Sequence, residues 1–179
     1  MKHFLIIIFL SMSFLLGEED KNYTGKEAPS ISLFRLDNNK YFRSKNYIEK
    51  EILVVSFFAT WCEPCIKEIR ELQLLKEQYA NKPVQFFLID LTEYFRKGEE
   101  RKYNKAKKAA PFLKELNLAK IPILEDNRGI VADKYGVSNN IPRLFVIDKY
   151  QTIQFDGANE CPTCIQDLLI PILDKLIDE

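Results

Sequence analysis

The most constraining feature of this chain is a pair of cysteines, Cys62 and Cys65, that follows a continuous apolar run. The run, Ile52 to Ala59, is short and rich in Val and Phe, which is typical of a buried central strand. Trp61 directly precedes the first cysteine, and an amphipathic segment begins after the second. The pattern therefore predicts a strand that ends at a Cys-x-x-Cys motif, which in turn opens a helix.

A cysteine pair at the start of a helix is suited to redox chemistry. Free N–H groups and the helix dipole favour the thiolate of Cys62, and the thiolate is the nucleophile in thiol–disulfide exchange. Cys65 lies one turn later, and Pro64 occupies the first turn, where a missing N–H costs little. We therefore expect Cys62 to attack and Cys65 to resolve the mixed disulfide. Half of a zinc site is the alternative, because such pairs are also common metal ligands.

The segment Trp61-Cys62-Glu63-Pro64-Cys65, followed by Glu68, resembles the thioredoxin superfamily, and more narrowly its extracytoplasmic TlpA/ResA-like branch. The resemblance runs from about Gly25 to the C-terminus and is weakest across residues 94–108. It implies an α/β, thioredoxin-like three-layer sandwich with an N-terminal β-hairpin extension. Residues 31–43 fit that hairpin, since their alternating strand pattern is broken by the turn at 37–40.

Composition removes several classes of function. The 179 residues suffice for one domain with a sizeable core. Lysine plus arginine equals aspartate plus glutamate, 26 each, so nothing points to nucleic acid as a partner. The single histidine is His3, in the N-terminal apolar segment. Enzymes and metal sites that need a histidine in the folded domain are therefore excluded.

Residues 1–17 form a separate segment, predicted to be a signal peptide or a short membrane anchor. As a helix, the apolar run from Phe4 to Leu16 is ~20 Å long against a hydrocarbon core of ~30 Å, which favours a signal peptide. Residues 18–26 are predicted to be a linker, and 27–179 the thioredoxin-like domain. Both interpretations of 1–17 place the domain in the periplasm or otherwise outside the cytoplasm, where disulfides persist. Contact with the membrane is expected only through an uncleaved N-terminus.

The remaining elements follow from periodicity and from turn residues. A helix is predicted from Cys65 to Tyr79. Residues 93–108 are dense in charge, and 96–102 are predicted to be a solvated loop, with a partner-docking surface as the alternative. Further strands are predicted at 84–90, 121–124, 141–148 and 152–155, and further helices at 109–118, 130–135 and 162–177. Pro171 is expected to kink or interrupt the last helix.

Glu68 is predicted to tune proton transfer at Cys65, three residues earlier on the same helical face. The TlpA/ResA-like branch carries a glutamate at this position. Cytoplasmic thioredoxins instead use a buried aspartate on the preceding strand, where this chain has Ser56. An ordinary solvated carboxylate is the alternative for Glu68.

A substrate groove beside the cysteines is implied by the same resemblance. We predict that Trp61, Pro64, Ile141 and Pro142 line it, and the family match implies that the peptide bond before Pro142 is cis. Arg143 departs from the family pattern. It either brings a cation near the cysteines or points away along its strand.

A second pair, Cys161 and Cys164, lies at the start of the last helix and is not part of the family pattern. Topology allows both pairs to share one rim of the domain. Four interpretations stay open for the second pair: a structural disulfide or inert pair, a redox pair that exchanges electrons with Cys62 and Cys65, a shared four-cysteine zinc site, and a contact with another protein or a soft metal.

The sequence thus predicts an extracytoplasmic thiol–disulfide oxidoreductase with no cofactor beyond its own disulfide and no bound metal. By resemblance it acts as a reductase of disulfides in partner proteins, apocytochrome c among them, and is recharged by a membrane electron donor of the thiol-reductase type. The alternative is a metal- or protein-binding module that uses Cys161 and Cys164. A peroxidase of the peroxiredoxin type is disfavoured, because Val55 and Ala59 stand where that site needs a proline and a threonine.

Overall fold

A computed structural model of the chain describes residues 22–98, 106–137, 140–158 and 163–179. The predicted signal or anchor segment, 1–17, lies outside these ranges. Within them, no helix combines the length and apolar character that a membrane crossing requires. The strands are β1 Ser32–Arg35, β2 Tyr41–Arg43, β3 Ile52–Phe58, β4 Val84–Asp90, β5 Ile123–Glu125, β6 Arg143–Ile147 and β7 Ile153–Ala158. The α-helices are α1 Glu63–Gln78, α2 Thr92–Gly98, α3 Ala109–Glu115, α4 Ile130–Lys134 and α5 Ile165–Asp178, and a short 3₁₀ helix spans Ser44–Tyr47.

The strands form one sheet in the order β2-β1-β5-β4-β3-β6-β7. The predicted hairpin is confirmed: β1 pairs antiparallel with β2 and joins the sheet beside β5. Every residue of β3 is buried, as its continuous apolar sequence predicts. It pairs in parallel with β4 and antiparallel with β6. The motif that follows β3 therefore starts from the middle of the sheet.

Alternation along β3 separates the core into two layers. Val54 and Phe58 belong to the layer that contains Cys62, Cys65 and the apolar faces of α1, α3 and α5. Leu53, Val55 and Phe57 belong to the opposite layer, which contains α4 and the hairpin. The three-layer sandwich is thus present, with the cysteine pair on the α1 side.

Helix α2 spans the first part of the charged segment 93–108, so the loop predicted over 96–102 is wrong at residues 96–98. Asp90 accepts a hydrogen bond from the N–H of Thr92 and so caps the start of this helix. Charge density masked this start signal in the sequence. Residues 99–105 lie outside the described ranges.

The final helix continues through Pro171, so the proline does not interrupt it. The carbonyl of Asp167 loses its helical N–H donor at this point, and Asp167 is exposed. Part of the predicted linker is bound to the domain: the N–H of Tyr23 donates to Asp156 (2.7 Å), and the N–H of Gly25 donates to the carbonyl of Ile153 (2.7 Å). Gly136 lies just past the end of α4 with a positive φ of 65°, a conformation that glycine adopts at helix C-termini.

Candidate active site

Cys62 and Cys65 form a disulfide at the start of α1, with Cα atoms 5.3 Å apart. Cys62 is the N-cap residue, and its sulfur accepts a hydrogen bond from the N–H of Cys65 at 3.3 Å. This N–H and the helix dipole both stabilise negative charge on the sulfur of Cys62. Cys62 is 5% exposed and Cys65 is fully buried. Of the two sulfurs, that of Cys62 is therefore the one open to attack from outside.

The predicted groove residues lie around this sulfur. The carbonyl oxygen of Ile141 is 3.8 Å from Sγ of Cys62, and the bond between Ile141 and Pro142 is cis. The β3–β6 pairing, in which Phe57 lies opposite Arg143, brings this segment to the motif. Pro64 is exposed in the first turn of α1. The structure thus gathers an apolar rim around the disulfide.

Trp61 is part of this rim rather than of the core. Its side chain is 37% exposed, and its ring meets that of Phe95 edge-on, with centroids 5.4 Å apart. Phe95 belongs to α2, the helix that the sequence did not predict. The indole is therefore exposed beside the disulfide and packs against α2.

Glu68 is buried behind the disulfide, with 2% of its surface exposed. Among the described residues, the hydroxyl of Ser56 donates to Oε1 of this carboxylate at 2.6 Å. Burial raises the pKa of Glu68 to about 7, and the hydrogen bond from Ser56 opposes part of that rise. The carboxyl group can therefore change its protonation state near neutral pH, on the same helical face as Cys65.

Arg143 does not approach the cysteines. It lies on the opposite face of the sheet, where its Nε and Nη2 donate to Asp156 at 2.8 and 2.9 Å. Both side chains are buried, 2% and 1% exposed. Of the two sequence-based alternatives, the one that placed a cation near the active-site sulfurs is wrong, because strand alternation directs residue 143 away from α1.

A buried hydrogen-bond network that the sequence did not predict lies beside the motif. Thr60, two residues before Cys62, donates its N–H to the hydroxyl of Thr92 at 3.0 Å. That hydroxyl donates to Oδ1 of Asp90 at 2.5 Å. Burial raises the pKa of Asp90 to about 6, against the lowering effect of these hydrogen bonds. An aspartate at a strand end, two residues before a helix, is a capping signal that points to this network.

The second cysteine pair is only partly described, since Cys161 lies outside the described ranges. Cys164 is half-buried, disulfide-bonded and adjacent to the first residue of α5. Gln166 donates to Glu71 at 2.6 Å, so α5 begins beside the third turn of α1. Cys164 therefore lies next to the end of α5 that contacts α1. Within the described part of the chain, no cluster of three or more potential ligands is arranged to hold a metal ion.

Comparison with known proteins agrees with this geometry. The model of the AhpC/TSA family matches residues 24–156. The chain is 31% identical to the thiol-disulfide oxidoreductase ResA of Bacillus cereus, over 82% of this chain and 81% of that protein. It is 26% identical to the thiol:disulfide interchange protein DsbE of Haemophilus influenzae, over 97% and 95% of the two chains.

A solved structure confirms the fold. The thioredoxin domain of a thiol-disulfide oxidoreductase from Bacteroides vulgatus superposes with a TM-score of 0.64 at 14% sequence identity. The match covers 86% of this chain and 99% of that one. The three-layer sandwich with its β3–α1 motif is therefore thioredoxin-like.

Proposed function

This chain belongs to the AhpC/TSA family and is a thiol–disulfide oxidoreductase, and from that premise we propose that it reduces disulfides in partner proteins outside the cytoplasm. The observation that carries the proposal is the asymmetry of the pair. Cys62 reaches the surface at the N-terminus of α1, whereas Cys65 is fully buried behind it. One sulfur is placed to meet a partner and the other to release it.

The exchange proceeds in two steps. The thiolate of reduced Cys62 attacks one sulfur of the partner's disulfide, forms a mixed disulfide and expels the other partner sulfur as a thiolate. The thiolate of Cys65 then attacks Sγ of Cys62. This step releases the second partner sulfur and leaves the Cys62–Cys65 disulfide seen in the structure. Two electrons pass to the partner, which takes up two protons.

Glu68 accepts the proton of Cys65 before the second step. Its pKa of about 7 places it near the pH at which a base is both ionised and able to bind a proton. Its position one turn from Cys65 on the buried face of α1 supports this role. Ser56 cannot take the proton itself, but its hydroxyl stabilises the ionised form of Glu68.

A reduced pair must be restored after each turnover, and we assign this to a membrane electron donor of the thiol-reductase type. Apocytochrome c is the candidate substrate, supported by similarity to proteins named ResA and DsbE. The apolar run from Phe4 to Leu16 supports a location outside the cytoplasm.

The direction of electron flow is tested by the reduction potential of Cys62 and Cys65. The protein and its C161S/C164S variant are equilibrated in glutathione and dithiothreitol buffers, and thiols are trapped for mass spectrometry. A potential below about −220 mV supports a reductase, and one near about −120 mV supports an oxidase instead. If the pair never cycles in either protein, the proposed function fails.

The roles of the two sulfurs are tested by trapping. With an oxidised apocytochrome c peptide, C65S should accumulate a mixed disulfide through Cys62, because its resolving thiol is gone. C62S is the matched control and should accumulate none. Equal trapping by both variants would contradict the assignment.

Replacement of Glu68 by Gln should slow the release step by about 100-fold, the scale of a lost general base, and abolish its inflection near pH 7. Stopped-flow measurement of mixed-disulfide resolution across pH 5–9 checks this expectation. E77Q is the control, since Glu77 is exposed on the same helix. A pH profile of E68Q that matches the parent protein would exclude Glu68 from proton transfer.

The alternative, a metal- or protein-binding module built on Cys161 and Cys164, is less well supported. Cys164 is disulfide-bonded, and a sulfur in a disulfide offers no thiolate to a metal. Zinc retained by all four reduced thiols in the titration above would restore this alternative.

A further inference from the structure

A buried chain of hydrogen bonds fixes the turn that leads to Cys62. The chain runs from Thr60 through Thr92 to Asp90. The three residues are 8%, 2% and 5% exposed, respectively. The chain begins at the N–H of Thr60 and ends at a carboxylate oxygen that accepts from both the N–H and the hydroxyl of Thr92. Each link spans 3.0 Å or less.

Strand register places the three residues together. Phe58 and Asp90 are partners in the parallel β3–β4 pair, so the two strands end side by side. The N–H of Leu91 donates to the carbonyl of Phe58 at 2.9 Å and extends the pairing by one step. The turn after β3 therefore lies directly against the first residue of α2.

Thr92 is well suited to hold this turn. The N–H of Thr60 is buried and needs an acceptor, and an unmet buried donor is costly. A hydroxyl that donates to a carboxylate becomes a stronger acceptor on its oxygen, because linked hydrogen bonds polarise one another. The hydroxyl of Thr60 donates to the carbonyl of Lys107 at 2.8 Å. Thr60 is thus fixed through both its backbone and its side chain.

The fixed turn leads directly to the reactive groups. The N–H of Cys62 donates to the carbonyl of Ala59 at 3.0 Å and closes the turn around Thr60. Trp61, inside the turn, rests on Phe95. Helix α2 therefore contacts the turn twice, at the backbone through Thr92 and at the indole through Phe95.

We propose that Thr92 and Asp90 are positioning residues for thiol–disulfide exchange, which hold Cys62 at the N-terminus of α1 and Trp61 at the rim of the groove. The inference rests on the proposed attack by Cys62, and it assigns to α2 a part in the reaction. Thr92 and Asp90 are both buried. Both act through the N–H of Thr60.

The test replaces Thr92 by Val, which keeps the shape of the side chain and removes the hydroxyl. T92S restores the hydroxyl and should rescue. T152V is the matched control, because Thr152 is half-buried in the loop before β7, away from the motif. D90N keeps an acceptor for Thr92 but removes its charge, so its effect should be smaller than that of T92V. All variants are made in the full chain carrying C161S/C164S, so that one cysteine pair remains.

Two readouts report on the turn itself. The first is the rate at which iodoacetamide alkylates Cys62 in the reduced protein at pH 7, located by mass spectrometry. The second is acrylamide quenching of Trp61, the single tryptophan of the chain. T92V should slow alkylation about tenfold, the scale of one lost hydrogen bond at a buried donor, and should raise the quenching constant of Trp61. T92S and T152V should behave as the parent protein.

Three results would overturn the proposal. The first is a T92V protein with the alkylation rate and quenching of the parent, even if its melting temperature falls. The second is a T92S protein that fails to rescue, since this would assign the effect to packing. The third applies if T92V does not fold, and it is a D90N protein with the alkylation rate and the Trp61 quenching of the parent. Failure of the proposed function is distinguishable, because the parent protein would then reduce no disulfide.

Discussion

Two buried carboxylates, those of Asp156 and Glu68, lie on opposite faces of the same sheet and have different hydrogen-bond partners. Asp156 receives two hydrogen bonds from the guanidinium of Arg143 and one from the N–H of Tyr23. Glu68, among the described residues, accepts a hydrogen bond from the neutral hydroxyl of Ser56. Ser56 and Phe57 are successive residues of β3, and their partners on β6 are Leu144 and Arg143. The site of Glu68 and the buried ion pair are therefore next to successive residues of β3, on opposite faces of the sheet.

The difference shows how one fold separates stability from chemistry. A carboxylate bound by a guanidinium through two charge-assisted hydrogen bonds holds neighbouring elements together. Burial of a carboxylate without a cationic partner raises its pKa, so the group exchanges a proton near neutral pH. Breaking the ion pair of Asp156 should destabilise the fold. Neutralising Glu68 should stabilise the fold and impair turnover.

The largest expected effect comes from breaking the ion pair. D156N leaves the cation of Arg143 buried beside a neutral amide, which should lower the free energy of unfolding by about 3–5 kcal/mol. Urea denaturation followed by circular dichroism measures this loss. D37N is the control, because Asp37 pairs with Arg35 near the surface and exposed pairs contribute about 0–1 kcal/mol. Equal losses of unfolding free energy in D156N and D37N would contradict the larger contribution assigned to the buried ion pair.

The next effect concerns the stability of oxidised protein as a function of pH. The pKa of Glu68 is raised from 4.5 to about 7 on folding, so between these values the folded state binds more protons than the unfolded state. Stability contributed by this group is complete below about pH 4.5 and falls as the pH rises to about 7. E68Q should therefore gain roughly 3 kcal/mol over the parent between pH 4 and pH 8. A difference that stays constant with pH would show that Glu68 does not titrate in this range.

The smallest expected effect sharpens the role of Ser56. S56A removes the donor that stabilises the ionised form of Glu68, so the pKa of Glu68 should rise further, by about one unit. The inflection in the pH profile of mixed-disulfide release should move up with it, while S56T should leave it in place. S44A is the control, since Ser44 is a buried serine that instead accepts a bond from Ile31. An inflection that moves down in S56A would contradict the assignment.

Local patterns were sufficient for the central part of this site. The apolar run before Cys62 predicted β3, and the periodicity after Cys65 predicted the buried face of α1, because both signals lie within one element. Glu68 was placed on that face from its spacing alone. The sequence placed Ser56 at the position of the buried aspartate of thioredoxins but did not predict its bond to Glu68. That hydrogen bond joins a strand to a helix across the core.

Other features depend on information that no single segment contains. The side of the sheet to which Arg143 points follows from register between β6 and β3, which an isolated strand does not specify. Helix α2 was missed because charged residues suggested a solvated loop, although Asp90 and Thr92 carry a capping pattern. The binding of residues 23–26 to β7 was missed because a polar composition is equally typical of linkers and of edge segments.

That last attachment covers part of the edge of the sheet. An edge strand exposes a row of unpaired N–H and C=O groups that can template pairing with another chain. Here the backbone of Gly25 and Lys26 bonds to both main-chain groups of Ile153, and Ala28 bonds to the carbonyl of Gln151. The segment thus covers the start of β7. A truncation that stops before Tyr23 leaves this cover in place, whereas one that removes residues 23–28 opens the edge and invites aggregation.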